Sequence, residues 1–268
     1  MSTVLITGAT SGLGRYVAFE PVRAGHRVLA HGRDRARTER LVEELRAEGE
    51  AEGYVADLSR LAEVREPGAK VAAARPDPDV LINNAGVGAG APGSGRATSA
   101  DGHELMRAVN YPAPVVLTRA LPPVLRANAP ARVVNVGSEG REHVDFADPE
   151  FTRGYDGVPA YCRGKFALAA FTFTPAEELD GSGVAVNVLH PATFMDIAMV
   201  RDSGFSPRTS VADGAPGVPA LATGEAGSGG YYDGTRPARA HEAAYDPRVR
   251  QRLAAVTERL LVGWNRAG

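Results

Sequence analysis

The sequence predicts one α/β domain built on a doubly wound parallel sheet with helices on both faces. Short apolar runs alternate with longer amphipathic segments along most of the 268 residues, which is the pattern of repeated βαβ units. Several of these runs are continuously apolar, as in strands that helices cover on both faces. The length suits one large domain better than two independent ones. We therefore expect a single domain over residues 1–268.

The elements can be assigned in order from the spacing of apolar residues. Gly25 closes the first helix pattern, as a glycine after a helix C-terminus does. The predicted strands are Thr3–Ile6, Arg27–His31, Gly53–Ala56, Val80–Ile82, Arg132–Val136, Val184–Leu189 and Gly230–Tyr232. The predicted helices are Gly12–Ala24, Arg35–Glu48, Leu61–Ala74, Ala100–Asn128, Ala160–Leu179 and Pro247–Val262.

Two features interrupt this regular pattern. Residues 202–230 are rich in Gly, Pro and Ser, so we expect a substrate lid and a connection over residues 192–230. An interior proline removes a backbone donor and clashes with the preceding turn, so it kinks a helix or marks a boundary. Prolines that interrupt the predicted helices in this way include Pro21, Pro67, Pro112, Pro114 and Pro175.

The composition is that of an ordinary soluble protein, with 44% hydrophobic and 23% charged residues. The formal net charge of −2 and the absence of a basic stripe argue against a nucleic-acid partner. The single cysteine, Cys162, excludes an internal disulfide and fits a reducing compartment. The N-terminus lacks a signal-peptide pattern, and no apolar run approaches the length that spans a bilayer. We therefore expect a cytoplasmic protein without a membrane partner. The histidines lack metal-ligand spacing, and we assign no metal site.

A glycine-rich loop directly follows the first predicted strand and opens the first helix. In "TGATSGLG", Gly8 permits a tight turn, Gly12 allows close approach to a pyrophosphate, and Gly14 lets the helix pack near the sheet. The helix N-terminus adds free N–H groups and a positive dipole end. The order is Gly-x-x-x-Gly-x-Gly, and an ordinary glycine-rich turn is the alternative. Its place in a first βαβ unit favours a Rossmann-type dinucleotide site.

The end of the second predicted strand, "HGRDR", bears on the choice of nucleotide. In NAD-binding units an acidic residue there holds the ribose 2′-hydroxyl, whereas an arginine accommodates the 2′-phosphate of NADP. Gly32 stands where the acid is expected and Arg33 follows it. With Thr10 and Ser11 nearby, this favours NADP(H) over NAD(H). Two alternatives remain: Asp34 restores an acid after a one-residue shift, and the arginines are solvated charges at a helix start.

At this point the chain resembles the short-chain dehydrogenase/reductase family. The resemblance runs from Val4 to about Met199. It rests on the glycine loop, on the pair Asp57-Leu58, on "NNAG" at residues 83–86, on Asn110, on Ser138, and on Tyr161 and Lys165 in Tyr-x-x-x-Lys. The long Ser138–Tyr161 gap resembles the insertion of the retinol-dehydrogenase-like and carbonyl-reductase-like branches. By resemblance the cofactor-binding residues are Gly8, Thr10, Ser11, Gly12, Leu13, Gly14, Arg33, Asp57, Leu58, Asn84, Ala85, Gly86, Tyr161, Lys165, Pro191 and Thr193.

One segment departs from the family pattern. After the sixth strand the family has Pro-Gly and, a few residues on, a threonine near the nicotinamide amide. Here the segment reads "HPATFMD": Ala192 follows Pro191, Thr193 comes early, and Ile197 stands near the usual place of the threonine. This departure puts the nicotinamide contacts in question.

Tyr161 and Lys165 lie one helical turn apart and so point the same way. A nearby ammonium favours the phenolate, so we expect a lowered pKa for Tyr161 and proton exchange with a carbonyl or alcohol. By resemblance Ser138 steadies the substrate oxygen, Lys165 also holds the nicotinamide ribose, and Asn110 holds a water that links Lys165 to solvent. Cys162 points to another face and is interpreted as a packed small residue.

These expectations add up to an NADP(H)-dependent oxidoreductase that interconverts a carbonyl and an alcohol on a small organic substrate. Residues 87–96, 139–158 and 192–215 should border the substrate, and the resemblance implies a homodimer or homotetramer. Two alternatives remain open. One is a redox-neutral enzyme of secondary metabolism on the same fold, and the other is a non-catalytic NADP(H) sensor.

Overall fold

A computed structural model describes residues 1–64, 78–140 and 142–264 of the chain. Within these residues, eight strands form one sheet in the order β3-β2-β1-β4-β5-β6-β7-β8. Every neighbouring pair is parallel except β7 and β8. The strands are β1 Thr3–Ile6, β2 Arg27–Gly32, β3 Ala51–Val55, β4 Val80–Asn83, β5 Ala131–Val136, β6 Val184–His190, β7 Tyr231–Asp233 and β8 Arg236–Ala238. The predicted doubly wound fold is confirmed, and its strand order reverses between β1 and β4.

Helices cover both faces of the sheet, and alternate residues of β1 show how. Val4 and Ile6 pack into one core layer with residues from α1 and α2, while Leu5 packs into the opposite layer with residues from α4 and α5. The helices are α1 Gly12–Arg23, α2 Arg35–Arg46, α3 Leu105–Asn110, α4 Pro112–Ala120, α5 Pro122–Ala127, α6 Gly157–Glu178, α7 Ala198–Asp202, α8 Val211–Gly214, α9 Gly217–Thr223 and α10 Pro247–Trp264. Residues 61–64 are also helical.

Several predicted boundaries were wrong, mainly because of proline. The helix expected over Ala100–Asn128 consists of α3, α4 and α5, since Pro112 and Pro122 each begin a new helix. Proline is favoured at that first position because its missing N–H has no helical partner there. Pro21 and Pro175, in contrast, lie inside α1 and α6. Pro67 and most of the helix predicted at Leu61–Ala74 lie outside the described residues.

The C-terminal part holds more structure than the sequence predicted. Residues 202–230 were expected as loop, but α8 and α9 lie within them. The short strand β8 was not predicted; it pairs antiparallel with β7 at the edge of the sheet, where its proline is tolerated. None of the helices in the described parts of the chain is long and apolar enough to cross a membrane.

Candidate active site

The predicted site residues meet at one edge of the sheet. Parallel strands place their carboxyl ends at the same edge, and ligands of open α/β sheets bind there. The glycine loop follows β1, Arg33 follows β2, Asp57 follows β3, Asn84 follows β4, and Ser138 and Pro191 follow β5 and β6. The topology therefore brings together residues that are far apart in the sequence.

The glycine loop has the backbone geometry that the motif predicted. Gly8 and Gly12 have φ of +65° and +52°, a region that favours glycine. A β-carbon at Gly14 would lie 2.3 Å from Asn84 Nδ2 and 2.3 Å from the Gly8 carbonyl oxygen. Asn84 Nδ2 donates to the carbonyl oxygens of Thr7 and Gly8 at 2.9 and 3.2 Å. The loop is thus held in a form that larger side chains would disrupt.

The start of α1 fits a phosphate group. Among the described residues, the Ser11 side chain caps none of the helix N–H groups. The Ile197 side chain lies beside Gly12, where a β-carbon would be 3.1 Å from Ile197 Cγ2. An uncapped helix N-terminus of this length favours an anion. Leu13 is 6% exposed and packs in the core, so any cofactor contact from this residue comes from its backbone. The chain at this point fits the pyrophosphate of a dinucleotide.

The end of β2 excludes an acidic side chain at its last residue. A β-carbon at Gly32 would lie 2.3 Å from Thr38 Oγ1 and 2.4 Å from Thr10 Cγ2. Asp34 is the N-cap of α2, and its carboxylate accepts a hydrogen bond from the Arg37 N–H at 2.8 Å. Gly32 therefore has no side chain to hold a ribose hydroxyl, and the Asp34 carboxylate already accepts one hydrogen bond from its own helix.

Two exposed arginines lie at the same corner. Arg33 was predicted there, but Arg37 was missed. The Arg37 guanidinium reaches the carbonyl oxygen of Thr10 at 3.5 Å, so it lies beside the glycine loop. The signal was present in the sequence, because Arg37 stands four residues after Arg33 in a stretch that begins a helix.

Asp57 and Leu58, the two residues of the pair after β3, differ in their surroundings. The Asp57 carboxylate accepts from the Ser59 N–H at 3.0 Å, and the Asp57 N–H donates to Glu63 Oε2 at 2.7 Å. Leu58 is 5% exposed and packs in the core below α4. Only the Asp57 side chain of this pair is therefore partly exposed at the sheet edge.

Ser138, Tyr161 and Lys165 come together at the centre of this edge. Tyr161 and Lys165 lie in α6, and the lysine ammonium is 5.9 Å from the centre of the tyrosine ring. Ser138 forms a side-chain hydrogen bond with Tyr161. Lys165 Nζ donates to the carbonyl oxygen of Val136 at 2.8 Å, which anchors the buried ammonium to the end of β5. Three of the four residues that the sequence nominated as catalytic are thus neighbours; the fourth is Asn110.

The sequence predicted a lowered pKa for Tyr161, and for the chain without cofactor this prediction was wrong. Burial raises the pKa of Tyr161 to about 12, and the hydrogen bond with Ser138 offsets only part of the rise. Burial also lowers the pKa of Lys165 to about 8. Removing charged groups from water disfavours their charged forms, and this effect dominates at both residues.

Asn110 has a role that the resemblance did not specify. It is fully buried and is the last residue of α3, at the break before α4. Its Oδ1 accepts from the Val87 N–H at 2.8 Å and its Nδ2 donates to the Val87 carbonyl oxygen at 2.9 Å. The Asn110 side chain therefore fixes the loop after β4. A β-carbon at Gly86 would lie 3.2 Å from Asn110 Oδ1, closer than an ordinary contact.

The sequence profile of the short chain dehydrogenase family matches residues 2–204 of the chain. The chain belongs to this family. Human retinol dehydrogenase 13 is 36% identical over 195 residues, which are 70% of this chain and 58% of that protein. The retinol-dehydrogenase-like branch that the long insertion indicated is thereby confirmed. The chain spans less than two thirds of the length of this relative.

Solved structures show the same fold. An uncharacterized protein from Mycobacterium paratuberculosis superposes with a TM-score of 0.79 at 27% identity and covers 97% of this chain and 93% of its own. The complex of Pseudomonas aeruginosa RhlG with NADP superposes with a TM-score of 0.70 at 26% identity and covers 87% of this chain and 94% of its own. The layout of this short-chain dehydrogenase is therefore shared with an NADP-bound protein.

The segment after β6 is tied to the loop that carries Ser138. The Thr193 hydroxyl donates to Glu139 Oε1 at 2.5 Å and lies 3.1 Å from His190 Nε2. Glu139, which directly follows Ser138, was missed by the sequence reasoning. Phe194 has a φ of +47°, which is uncommon for a bulky residue. The Thr193 hydroxyl, which the resemblance assigned to the cofactor, is thus bonded to a protein carboxylate.

The insertion before α6 docks through a carboxylate that the sequence reasoning also missed. Glu150 accepts from the Glu104 N–H at 2.8 Å and contacts His103 Nδ1 at 3.3 Å and Arg96 Nη2 at 3.4 Å. The Arg107 guanidinium is 3.8 Å away. These contacts hold residues 148–151 against the start of α3.

Proposed function

We propose that this chain is an NADP(H)-dependent oxidoreductase that interconverts a carbonyl and an alcohol on a small organic molecule. The observation that carries the proposal is the meeting of Ser138, Tyr161 and Lys165 beside a glycine loop that accepts no β-carbons at Gly8 and Gly14. A nucleotide-binding protein without chemistry has no need of a phenol and an ammonium in one cleft.

The chemistry divides between the cofactor and the chain. A bound nicotinamide supplies or accepts the hydride. The Tyr161 phenol gives its proton to the carbonyl oxygen during reduction and takes one back during oxidation. Ser138, which already bonds the Tyr161 side chain, holds the same oxygen and steadies its developing charge. Lys165 lies behind the phenol and favours its ionised form when the proton leaves.

The preference for NADP(H) rests on the corner after β2. No side chain fits at Gly32 without moving Thr10 or Thr38, and Asp34 is occupied in capping α2. Arg33 and Arg37 are exposed there, and arginine is suited to bind a phosphate through several N–H groups at once. NADP is also the nucleotide bound to the similar RhlG structure.

The proposal is tested on the purified full chain. NADPH and NADH are titrated by fluorescence, and a panel of aldehydes and ketones is then followed by the absorbance of the reduced nicotinamide. NADPH should bind more tightly than NADH, and at least one carbonyl should be reduced. Tight binding without turnover over a broad panel would favour a sensor or a redox-neutral enzyme. No binding of either nucleotide would refute the proposal.

A further inference from the structure

His31 is a buried histidine that the proposed chemistry does not use. It lies in β2 and is 4% exposed. Its Nδ1 accepts a hydrogen bond from the Gly8 N–H at 3.2 Å, and its Nε2 lies 3.0 Å from the carbonyl oxygen of Ala56. A backbone N–H only donates and a carbonyl only accepts. The ring is therefore neutral, with its proton on Nε2.

The ring joins the two loops that flank its own strand. β2 lies between β1 and β3 in the sheet, and His31 reaches the loop after each neighbour. Gly8 begins the glycine loop, and the next residue, Ala9, donates its N–H to the His31 carbonyl oxygen at 2.8 Å. Ala56 directly precedes Asp57. One side chain thus bridges the loop that fits the pyrophosphate and the loop whose Asp57-Leu58 pair the resemblance assigns to the cofactor.

We propose that His31 is a positioning residue for the dinucleotide, which holds these two loops at their working separation only while its ring is neutral. The inference rests on the proposed nucleotide binding. A protonated ring carries a hydrogen on Nδ1, so two donors would face each other at Gly8. The hydrogen bond between Gly8 and His31 would be lost, and the cofactor would bind more weakly at acidic pH.

The surroundings of the ring support this direction. Burial lowers the pKa of His31, while the Ala56 carbonyl and the Asp57 carboxylate act against it. Asp57 is the ionisable group of the loop after β3 that faces the ring, and the phenol of Tyr54 is the in-register neighbour on β3. The glycine-loop residues Thr7, Gly8, Ala9 and Thr10 and the nearby Thr38 of α2 bring no ionisable group. The His31 ring is therefore neutral at neutral pH and becomes protonated only at acidic pH.

The test compares the substitutions His31→Gln and His31→Leu. A glutamine amide can accept from Gly8 and donate to Ala56, but it does not titrate, whereas leucine fills space and does neither. The NADPH dissociation constant of each protein is measured by fluorescence at about pH 7.5 and about pH 5. The acid value lies well below the usual histidine pKa of about 6.5, because burial lowers the pKa of His31. The NADPH phosphate also titrates near pH 6, so the ratio of wild type to His31→Gln is compared at each pH, which cancels that effect.

The wild type and His31→Gln should bind alike at the higher pH. At the lower pH the wild type should bind at least about fivefold more weakly than His31→Gln, while His31→Leu should bind about tenfold more weakly at both, as expected for lost buried hydrogen bonds. A wild-type to His31→Gln ratio that does not change with pH would overturn the inference, even if His31→Leu fails to fold. If neither the wild type nor the two variants bind nucleotide at neutral pH, the proposed function itself is refuted, and not only the role of His31. Ring ¹⁵N shifts report the Nε2–H tautomer without any cofactor, and a proton on Nδ1 would also overturn the inference.

Discussion

The Lys165 ammonium lies 5.9 Å from the centre of the Tyr161 ring, with its hydrogen bond directed to Val136. Burial acts on both partners, raising the pKa of Tyr161 to about 12 and lowering that of Lys165 to about 8. The phenol is therefore neutral at physiological pH, which is the form that gives a proton to a carbonyl oxygen. The lysine sits close enough to favour the phenolate once that proton has left.

Tyr161→Phe should remove the proton donor and little else. General acid catalysis contributes about 10²- to 10⁴-fold, so turnover of the best carbonyl substrate should fall by that factor. The NADPH dissociation constant should stay within about twofold, because the hydroxyl is the only group lost. Tyr16→Phe is the matched control, since Tyr16 is 49% exposed at the surface. Turnover near the wild-type value in Tyr161→Phe would sink the mechanism.

The buried lysine should make stability rise with pH in a defined window. The pKa of Lys165 falls from 10.5 to about 8 on folding, so between these values the unfolded chain holds a proton that the folded chain has released. The free energy of unfolding therefore increases with pH, by about 2 kcal/mol between about pH 7.5 and about pH 9.5. Below about pH 8 the folded chain carries the buried ammonium, which lowers the free energy of unfolding by its full amount.

This rise can be assigned because the sequence contains only one other lysine, Lys70. Urea unfolding of the cofactor-free protein should show the increase, and Lys165→Met should lack it. The substitution also cancels contributions from other groups, such as the Cys162 thiol, whose pKa burial raises. At about pH 7.5, Lys165→Met should be more stable than the wild type yet inactive. Equal pH slopes in both proteins would contradict this account.

The predicted site residues that the fold brings together lie in contiguous motifs. The glycine loop and the Tyr-x-x-x-Lys pair follow from local geometry, since strand ends and helical turns fix where their members point. Arg37, Glu139 and His31 were missed because their partners are remote in the sequence: Thr10, Thr193, and Gly8 with Ala56. Only the order of strands in the sheet brings such pairs together.

The direction of the Tyr161 pKa was missed for a related reason. From the sequence, an ammonium one turn away is visible, but the loss of water around both groups is not. Desolvation depends on everything that packs over α6, including the ends of β5 and the loop held by Asn110. The same holds for the helix breaks at Pro112 and Pro122, where tertiary packing decided between a kink and a new helix.

Arg33 and Arg37 should set the preference for NADPH. Hydrogen bonds to charged groups contribute about 1.5–3 kcal/mol, so Arg33→Ala should weaken NADPH binding by about tenfold or more, and Arg37→Ala by a smaller factor. NADH binding should hardly change, because NADH lacks the 2′-phosphate. Arg35→Ala is the matched control: Arg35 is exposed on the same helix and lies 3.6 Å from Glu39. Equal losses for NADPH and NADH in Arg33→Ala would disprove the assignment.

Thr193 should act through Glu139 rather than on the cofactor directly. Its hydroxyl donates to the Glu139 carboxylate at 2.5 Å, and that residue adjoins Ser138, so the bond fixes the segment after β6 against the catalytic loop. Thr193→Val keeps the shape of the side chain and removes this donor. Turnover should fall by about three- to tenfold, as expected for a partly exposed hydrogen bond to a charged group.

A double-mutant cycle separates the two roles of Thr193. If the hydroxyl acts through Glu139, then the double variant with Glu139→Ala should show about the same turnover and NADPH dissociation constant as Thr193→Val, because the bond between the two side chains is already lost there. The contact of Thr193 with His190 at 3.1 Å is absent from both of these variants. Glu139→Gln keeps an acceptor oxygen and should restore much of the activity. Losses that multiply in the double variant would mean that Thr193 contacts the nicotinamide itself, as the resemblance to the family implied, and that the bond with Glu139 gives way when the cofactor binds.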